Sequence, residues 1–216
     1  MQIGVLGTGM VGRALATRLV GLGHDVMMGS RDAMSEPAQD WLRAQTGTAS
    51  VGTFAEAAAH GELAILAVRG DVALDVVDLA GATPLKAKVL IDVSNPLDFS
   101  QGMPPVLIAH LSNTTSLGEE VQRRLPLTHV VKTLNTMNAD VMVHPERVPG
   151  PSDVFVCGED AGAKATVMSL LKSFGWDAPI DLGGISAARG TEAMLPVWLR
   201  LWQALGTADF NFRIVR

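Results

Sequence analysis

The chain has 216 residues, 48% hydrophobic and 18% charged, with a formal net charge of −5 and a pI near 5.5. That length gives one large domain or a main domain plus a small one, with apolar residues enough for a substantial core. The acidic balance without a basic run argues against nucleic acid as a partner, and the strand-sized, interrupted apolar stretches argue against a membrane span or membrane partner.

The chain opens on a short apolar strand, Ile3-Gly4-Val5-Leu6, which runs into Gly7-Thr8-Gly9-Met10-Val11-Gly12. This is G-x-G-x-x-G between a strand and a helix, the layout of a dinucleotide site. Gly7 turns the chain out of the strand, Gly9 admits a pyrophosphate close to the backbone, and Gly12 lets the helix pack tightly. Val11, Leu15, Leu19 and Leu22 recur at helical spacing, which predicts a helix from about Met10 to Leu22. Its first N–H groups, from Met10 and Val11 onward, would face the phosphates.

A second strand follows at His24–Met28 and ends in Gly29-Ser30-Arg31. An NAD site places an acid here, to hold the ribose 2′-OH and repel a 2′-phosphate. This chain has Ser30 and Arg31 instead, a hydroxyl and a bidentate cation suited to that phosphate, so the expected cofactor is NADP(H). Asp32 beside them complicates the reading, since it is placed to pair with Arg31 or to repel phosphate.

Helical patterns are predicted at Glu36–Thr46 and Phe54–His60, then a buried strand at Leu63–Val68 and a helix at Val72–Leu79. Lys88–Val93 reads as another buried strand, Ser116 to Arg124 as a helix opened by a capping box, and His129–Leu134 as a further strand. Strands alternating with helices predict an α/β fold of Rossmann type, a doubly wound parallel sheet. A soft boundary near the Pro/Gly-rich stretch at 148–152 separates a nucleotide-binding domain, 1–150, from a small C-terminal α/β segment, 151–216. That segment is expected to hold strand 153–157, helix 160–174, strand 177–182, a long helix from about Ser186 to Leu205, and a terminal strand at 210–214. The long helix carries Trp198 and Trp202, suited to the core, to a partner subunit or to a cofactor ring.

In such a sheet the ligand lies over the carboxyl ends of the strands. The segments expected to ring one cleft are Gly7-Thr8, Gly29-Ser30-Arg31, Ala67-Val68-Arg69, Ser94-Asn95-Pro96 and Asn135-Thr136-Met137. Ala67, Val68, Asn95 and Pro96 are assigned to the cofactor, with Asn95 reaching the nicotinamide amide or ribose. Asn135, Thr136, Met137 and Ala139 are assigned to the second substrate, and Lys132 and Asn135 are nominated as contacts to the acceptor. Arg69 reads equally as an anion contact or a solvated charge.

Other chemistry is poorly represented. The five His are scattered without ligand spacing, so no metal site is expected, and no serine nucleophile elbow occurs. The single cysteine, Cys157, lies in an apolar strand and reads as a core residue. One cysteine excludes an internal disulfide and fits a reducing compartment, and the immediate start on a strand leaves no room for a signal peptide; a cytoplasmic location is expected.

Along essentially its whole length the chain resembles the deazaflavin (coenzyme F420)-dependent NADP oxidoreductases and their relatives, the NADPH domains of six-transmembrane ferric reductases. The resemblance rests on Ile3 to Gly12, Gly29-Ser30-Arg31, Asp92 to Leu97, Lys132 to Ala139, Val154 to Gly158 and the C-terminal helix. It implies a homodimer, NADP(H) held by Thr8, Ser30 and Arg31, and direct hydride transfer to a flavin-like ring stacked near 135–139 and the C-terminal helix. Members that use the deazaflavin carry a His where this chain has Asn135; Asn there is more similar to the ferric-reductase branch. F420, FMN and FAD therefore all stand as candidate acceptors. A reductase of a small carbonyl or imine and a non-catalytic NADP-binding sensor are the competing readings.

Overall fold

The computed structural model describes residues 1–215. Its centre is an eight-stranded sheet. In chain order the strands that build its parallel part are β1 (Gln2–Leu6), β2 (Asp25–Ser30), β3 (Ala49–Thr53), β4 (Leu63–Leu66), β5 (Val89–Asp92) and β8 (His129–Thr133). All of these neighbours pair in parallel. The chain runs outward from β1 through β2 to β3, then crosses back to β4 on the other side of β1 and continues to β5 and β8. The reversal between β1 and β4 opens a crevice above their carboxyl ends.

The described residues of the C-terminal segment, 151–215, extend the same sheet. β9 (Phe155–Cys157) pairs antiparallel with β8, and β10 (Ile180–Asp181) pairs in parallel with β9. The expected 148–152 boundary falls in the loop that reverses the chain direction between β8 and β9. A separate ribbon, β6 (Leu97–Asp98) with β7 (Val106–Leu107), projects from the end of β5.

Central strands are buried on both faces, so their side chains alternate between two cores. Ile3, Val5, Ile65, Ile91 and Val131 face the helices α1 (Met10–Gly21), α2 (Glu36–Arg43), α7 (Ala139–Val143) and α8 (Ala161–Phe174). Ala64, Leu66, Leu90 and Val130 face α3 (Phe54–His60), α4 (Ala73–Ala80), α5 (Ala82–Leu85) and α6 (Leu117–Arg124). Gly4 lets α3 lie directly on β1: a Cβ there would stand 2.1 Å from the Ala57 carbonyl oxygen.

Local chemistry sets the helix ends. Thr53 and Glu56 form a reciprocal capping box on α3. The expected cap at Ser116 is also present, with its Oγ accepting from Glu119 N at 3.1 Å. The helix predicted over 36–46 stops at Arg43, and a strand predicted by nothing in the pattern, β3, follows it. Its sequence Ala-Ser-Val-Gly-Thr is half-buried and nearly featureless; pairing with β2 defines it.

Two C-terminal expectations are corrected. The single helix expected over 186–205 is two, α9 (Ala188–Ala193) and α10 (Leu195–Leu205). Pro196 at the start of α10 lacks an N–H and its ring would clash with a carbonyl one turn back, so the chain restarts there. The tail 210–214 is not a strand, although it is tied down: Asp153 N donates to Phe212 O at 2.9 Å, and Asn211 Nδ2 donates to Asp153 O at 2.9 Å. Among the described residues no helix is long and apolar enough to cross a membrane, and no group of His, Cys, Asp and Glu is arranged to hold a metal ion.

Candidate active site

A cleft of about 560 Å³ opens at the reversal between β1 and β4. Its floor is the glycine fingerprint. Gly7 has φ +132°, which only glycine adopts readily, and its N–H donates to Gly29 O at 3.0 Å. A Cβ on Gly12 would meet the Gly7 carbonyl oxygen at 2.1 Å, so helix and turn are in direct contact. A Cβ on Gly9 would meet nothing within 4 Å. The three glycines thus divide into two that packing requires and one that faces open space in the cleft wall. Gly9 caps α1 without a side-chain hydrogen bond, which leaves the first N–H groups of the helix without a side-chain acceptor. An anion fits there by both geometry and dipole. Thr8 is positioned by Arg13, whose Nε donates to Thr8 O at 3.0 Å.

At the end of β2, Ser30 is buried and donates its hydroxyl to Asp32 O, with Ser35 Oγ 3.2 Å away. Asp32 Oδ1 accepts from Met34 N at 2.9 Å, so that acid closes its own turn. Arg31 projects into solvent. Arg31 is thus the cationic side chain next to the turn built by Ser30 and Asp32.

The opposite wall comes from β4 and β5. Ala67, Val68, Val93, Ser94 and Asn95 line the cleft, and Pro96 is buried behind them. Arg69 stands at the rim, paired with Asp71 and lying over the Phe99 ring at 5.4 Å from its centroid. Met137, Ala139 and Met142 form the third side. The far wall is aromatic: Trp198 and Trp202 stack at 6.2 Å, and Trp198 stacks on Phe210 at 5.2 Å.

Several nominated residues do not line the cleft: Gly7, Thr8, Gly12, Ser30, Arg31 and Pro96 are absent from its lining, as are Lys132, Asn135 and Thr136. Lys132 is a correction: it is 1% exposed, and its ammonium is held by Asp92, Ser94 and Glu192 in the interior. Burial would penalise its charge, but Asp92 and Glu192 outweigh that and raise its pKa, so it is a fixed cation. Asn135 and Thr136 are also buried, behind the wall they were expected to form. The Asn135 amide is engaged with Asn95: Asn135 Nδ2 donates to Asn95 Oδ1 at 2.9 Å, and Asn95 Nδ2 donates to Asn135 O at 2.8 Å. Leu134, with φ +61°, makes the sharp turn that sets Asn135 in this position. Cys157 is a core thiol pushed up to about 12 by burial, and so unreactive.

Sequence reasoning passed over Phe99 and Glu192. Phe99 comes from the β6–β7 ribbon, whose strands are too short to carry a pattern. Glu192 is a lone acid in a short helix, and nothing local marks it as buried.

Residues 2–96 match the family model described as NADP oxidoreductase, coenzyme F420-dependent. The F420-dependent NADP reductase of Methanothermobacter marburgensis is 32% identical over 93% of this chain and 92% of its own length. The chain belongs to this family. A crystal structure from Arthrobacter sp. FB24, described as a candidate F420-dependent NADP reductase, matches with a TM-score of 0.95 at 51% identity, covering 100% of both chains. The metalloreductase STEAP3 of Rattus norvegicus is also 32% identical over 91% of this chain, which spans 38% of that protein's length. As a member of the F420-dependent NADP oxidoreductase family, the protein is an NADP-dependent oxidoreductase.

Proposed function

We propose that the protein passes hydride between NADP(H) and a flavin-like ring, F420, FMN or FAD, held in the same cleft. The observation that carries this reading is a single cleft with the dinucleotide fingerprint on one side and stacked tryptophans on the other. A planar acceptor fits between Met137, Ala139 and that aromatic wall.

The N–H groups of Met10, Val11 and Gly12 bind the pyrophosphate, with Gly9 allowing close approach. Arg31, presented by the Ser30 turn, pairs with the 2′-phosphate. Ala67, Val68 and Asn95 bound the nicotinamide. Bound NADPH supplies the hydride; the protein aligns two rings and excludes water, which needs no acid–base dyad. Asn135, locked onto Asn95, shapes this wall from behind.

Stopped-flow mixing of the NADPH-loaded protein with F420, FMN, FAD, ferric chelates and small imine and carbonyl compounds tests the proposal. Oxidation of NADPH by F420 or a flavin is expected. Oxidation by an imine or carbonyl compound alone would replace the acceptor, and tight NADPH binding without turnover by any of these would make the protein a sensor.

The homodimer is part of the same proposal. Val197 and Leu205 on α10 are each 56% exposed, an apolar surface that a second copy would cover. Sedimentation should give twice the 22.8 kDa of one chain.

A further inference from the structure

The interior cluster around Lys132 is more than a satisfied ion pair. Lys132 Nζ donates to Asp92 Oδ2 at 2.8 Å and to Ser94 O at 2.7 Å, and it lies 2.8 Å from Glu192 Oε1. All three ammonium protons are thereby used. Glu192, 2% exposed, accepts also from Leu117 N at 2.9 Å and Gly118 N at 3.0 Å, in the first turn of α6. Asp92 Oδ1 accepts from Ser94 N at 2.9 Å and from Ser94 Oγ. Two buried carboxylates share one cation, and the second is held by backbone N–H groups at a helix start. Buried ion pairs seldom stabilise more than the apolar groups that would replace them, so stability alone does not account for the cluster.

Its connections do. Lys132 fixes the Ser94 carbonyl, and with it the peptide that carries Asn95 into the cleft. Glu192 belongs to α9, which passes through Met194 directly into α10 and its Trp198 and Trp202. The cluster therefore ties the wall at Ser94–Asn95 to the aromatic wall across the cleft.

We propose that Glu192 is a positioning residue for hydride transfer: by clasping Lys132 and the first turn of α6 together, it sets the spacing between the Asn95 wall and the Trp198–Trp202 wall. The inference rests on the reading that both rings meet in this cleft. A carboxylate is required because Glu192 accepts from Lys132, Leu117 N and Gly118 N at once. A Gln would turn its NH2 group toward one of those donors and leave it unpaired.

The test compares wild type with Glu192→Gln in NADPH affinity, single-turnover hydride transfer and acrylamide quenching of tryptophan fluorescence. Trp41 and Trp176 are both 3% exposed, so quenching reports chiefly on Trp198 and Trp202. Expected for Glu192→Gln are NADPH affinity within about twofold of wild type, transfer slowed tenfold or more, and increased quenching; a misplacement of ~1 Å costs about 100-fold in rate. Wild-type rate and quenching in Glu192→Gln would overturn the proposal. If Glu192→Gln does not fold, Glu192→Asp is measured in its place; it keeps the charge but withdraws it by one methylene, and a wild-type rate there overturns the proposal equally. The quenching arm needs no acceptor, so failure of the acceptor reading and failure of the clasp are separable.

Discussion

Gly9 and Gly12 stand three residues apart in one motif and answer to different forces. Gly12→Ala drives a Cβ to 2.1 Å from a carbonyl oxygen and is expected to cost about 3 kcal/mol or more, read as a fall in chemical-denaturation midpoint. Gly9→Ala meets open space; it should cost less than about 1 kcal/mol through a poorer helix cap while NADPH binding is largely lost in titration calorimetry. Arg31→Ala should weaken NADPH by about 1.5–3 kcal/mol and NADH hardly at all, since only the former offers a 2′-phosphate. Equal losses for both nucleotides would show that Arg31 meets no such group. The packing role of Gly12 was legible in the sequence because strand, turn and helix follow one another within a few residues. Lys132 was not. Its neighbours in sequence mark a strand end, and only the packing of β5 and α9 around it reveals a buried cation.

At the scale of elements, the C-terminal helices show how a local breaker is overlooked within a strong apolar pattern. Pro196 separates α9 from α10, and that break lets α9 dock on α6 while α10 turns its tryptophans to the cleft. The docking is reinforced outside the cluster by Arg189, which makes a bidentate pair with Glu119 at 2.8 and 2.6 Å. Hydrogen bonding to Arg189 is the foremost cause holding the Glu119 pKa below its usual 4.5. The folded state thus favours the charged carboxylate: the contribution is full above pH 4.5 and is lost as pH falls through the lowered folded value. Arg189→Ala should cost about 0.5–1 kcal/mol at neutral pH. The difference in melting temperature from wild type should shrink as the pH is taken below 4; a constant difference would show that the pair does not hold α9.

For the whole molecule, the hydrophobic periodicities and the fingerprint dictate a parallel sheet with a glycine turn at the carboxyl end of its first strand. Those signals are local, arising from side-chain spacing of two or about four residues and from glycines where backbones meet, so a single chain displays them. The Ser30-Arg31 ending, read the same way, already favoured a 2′-phosphate. What sequence did not reveal is set by contacts between distant segments. β3 exists because β2 offers it an edge, and β9 joins the sheet antiparallel because the 134–154 connection brings it back along β8. The second wall of the cleft is made by Phe99, Trp198 and Trp202, which come from the turn after a two-residue ribbon strand and from a helix about a hundred residues further on. The sequence by itself determined the nucleotide half of this protein. Tertiary structure alone decided the aromatic side of the cleft, because Phe99, Trp198 and Trp202 are brought together from segments about a hundred residues apart.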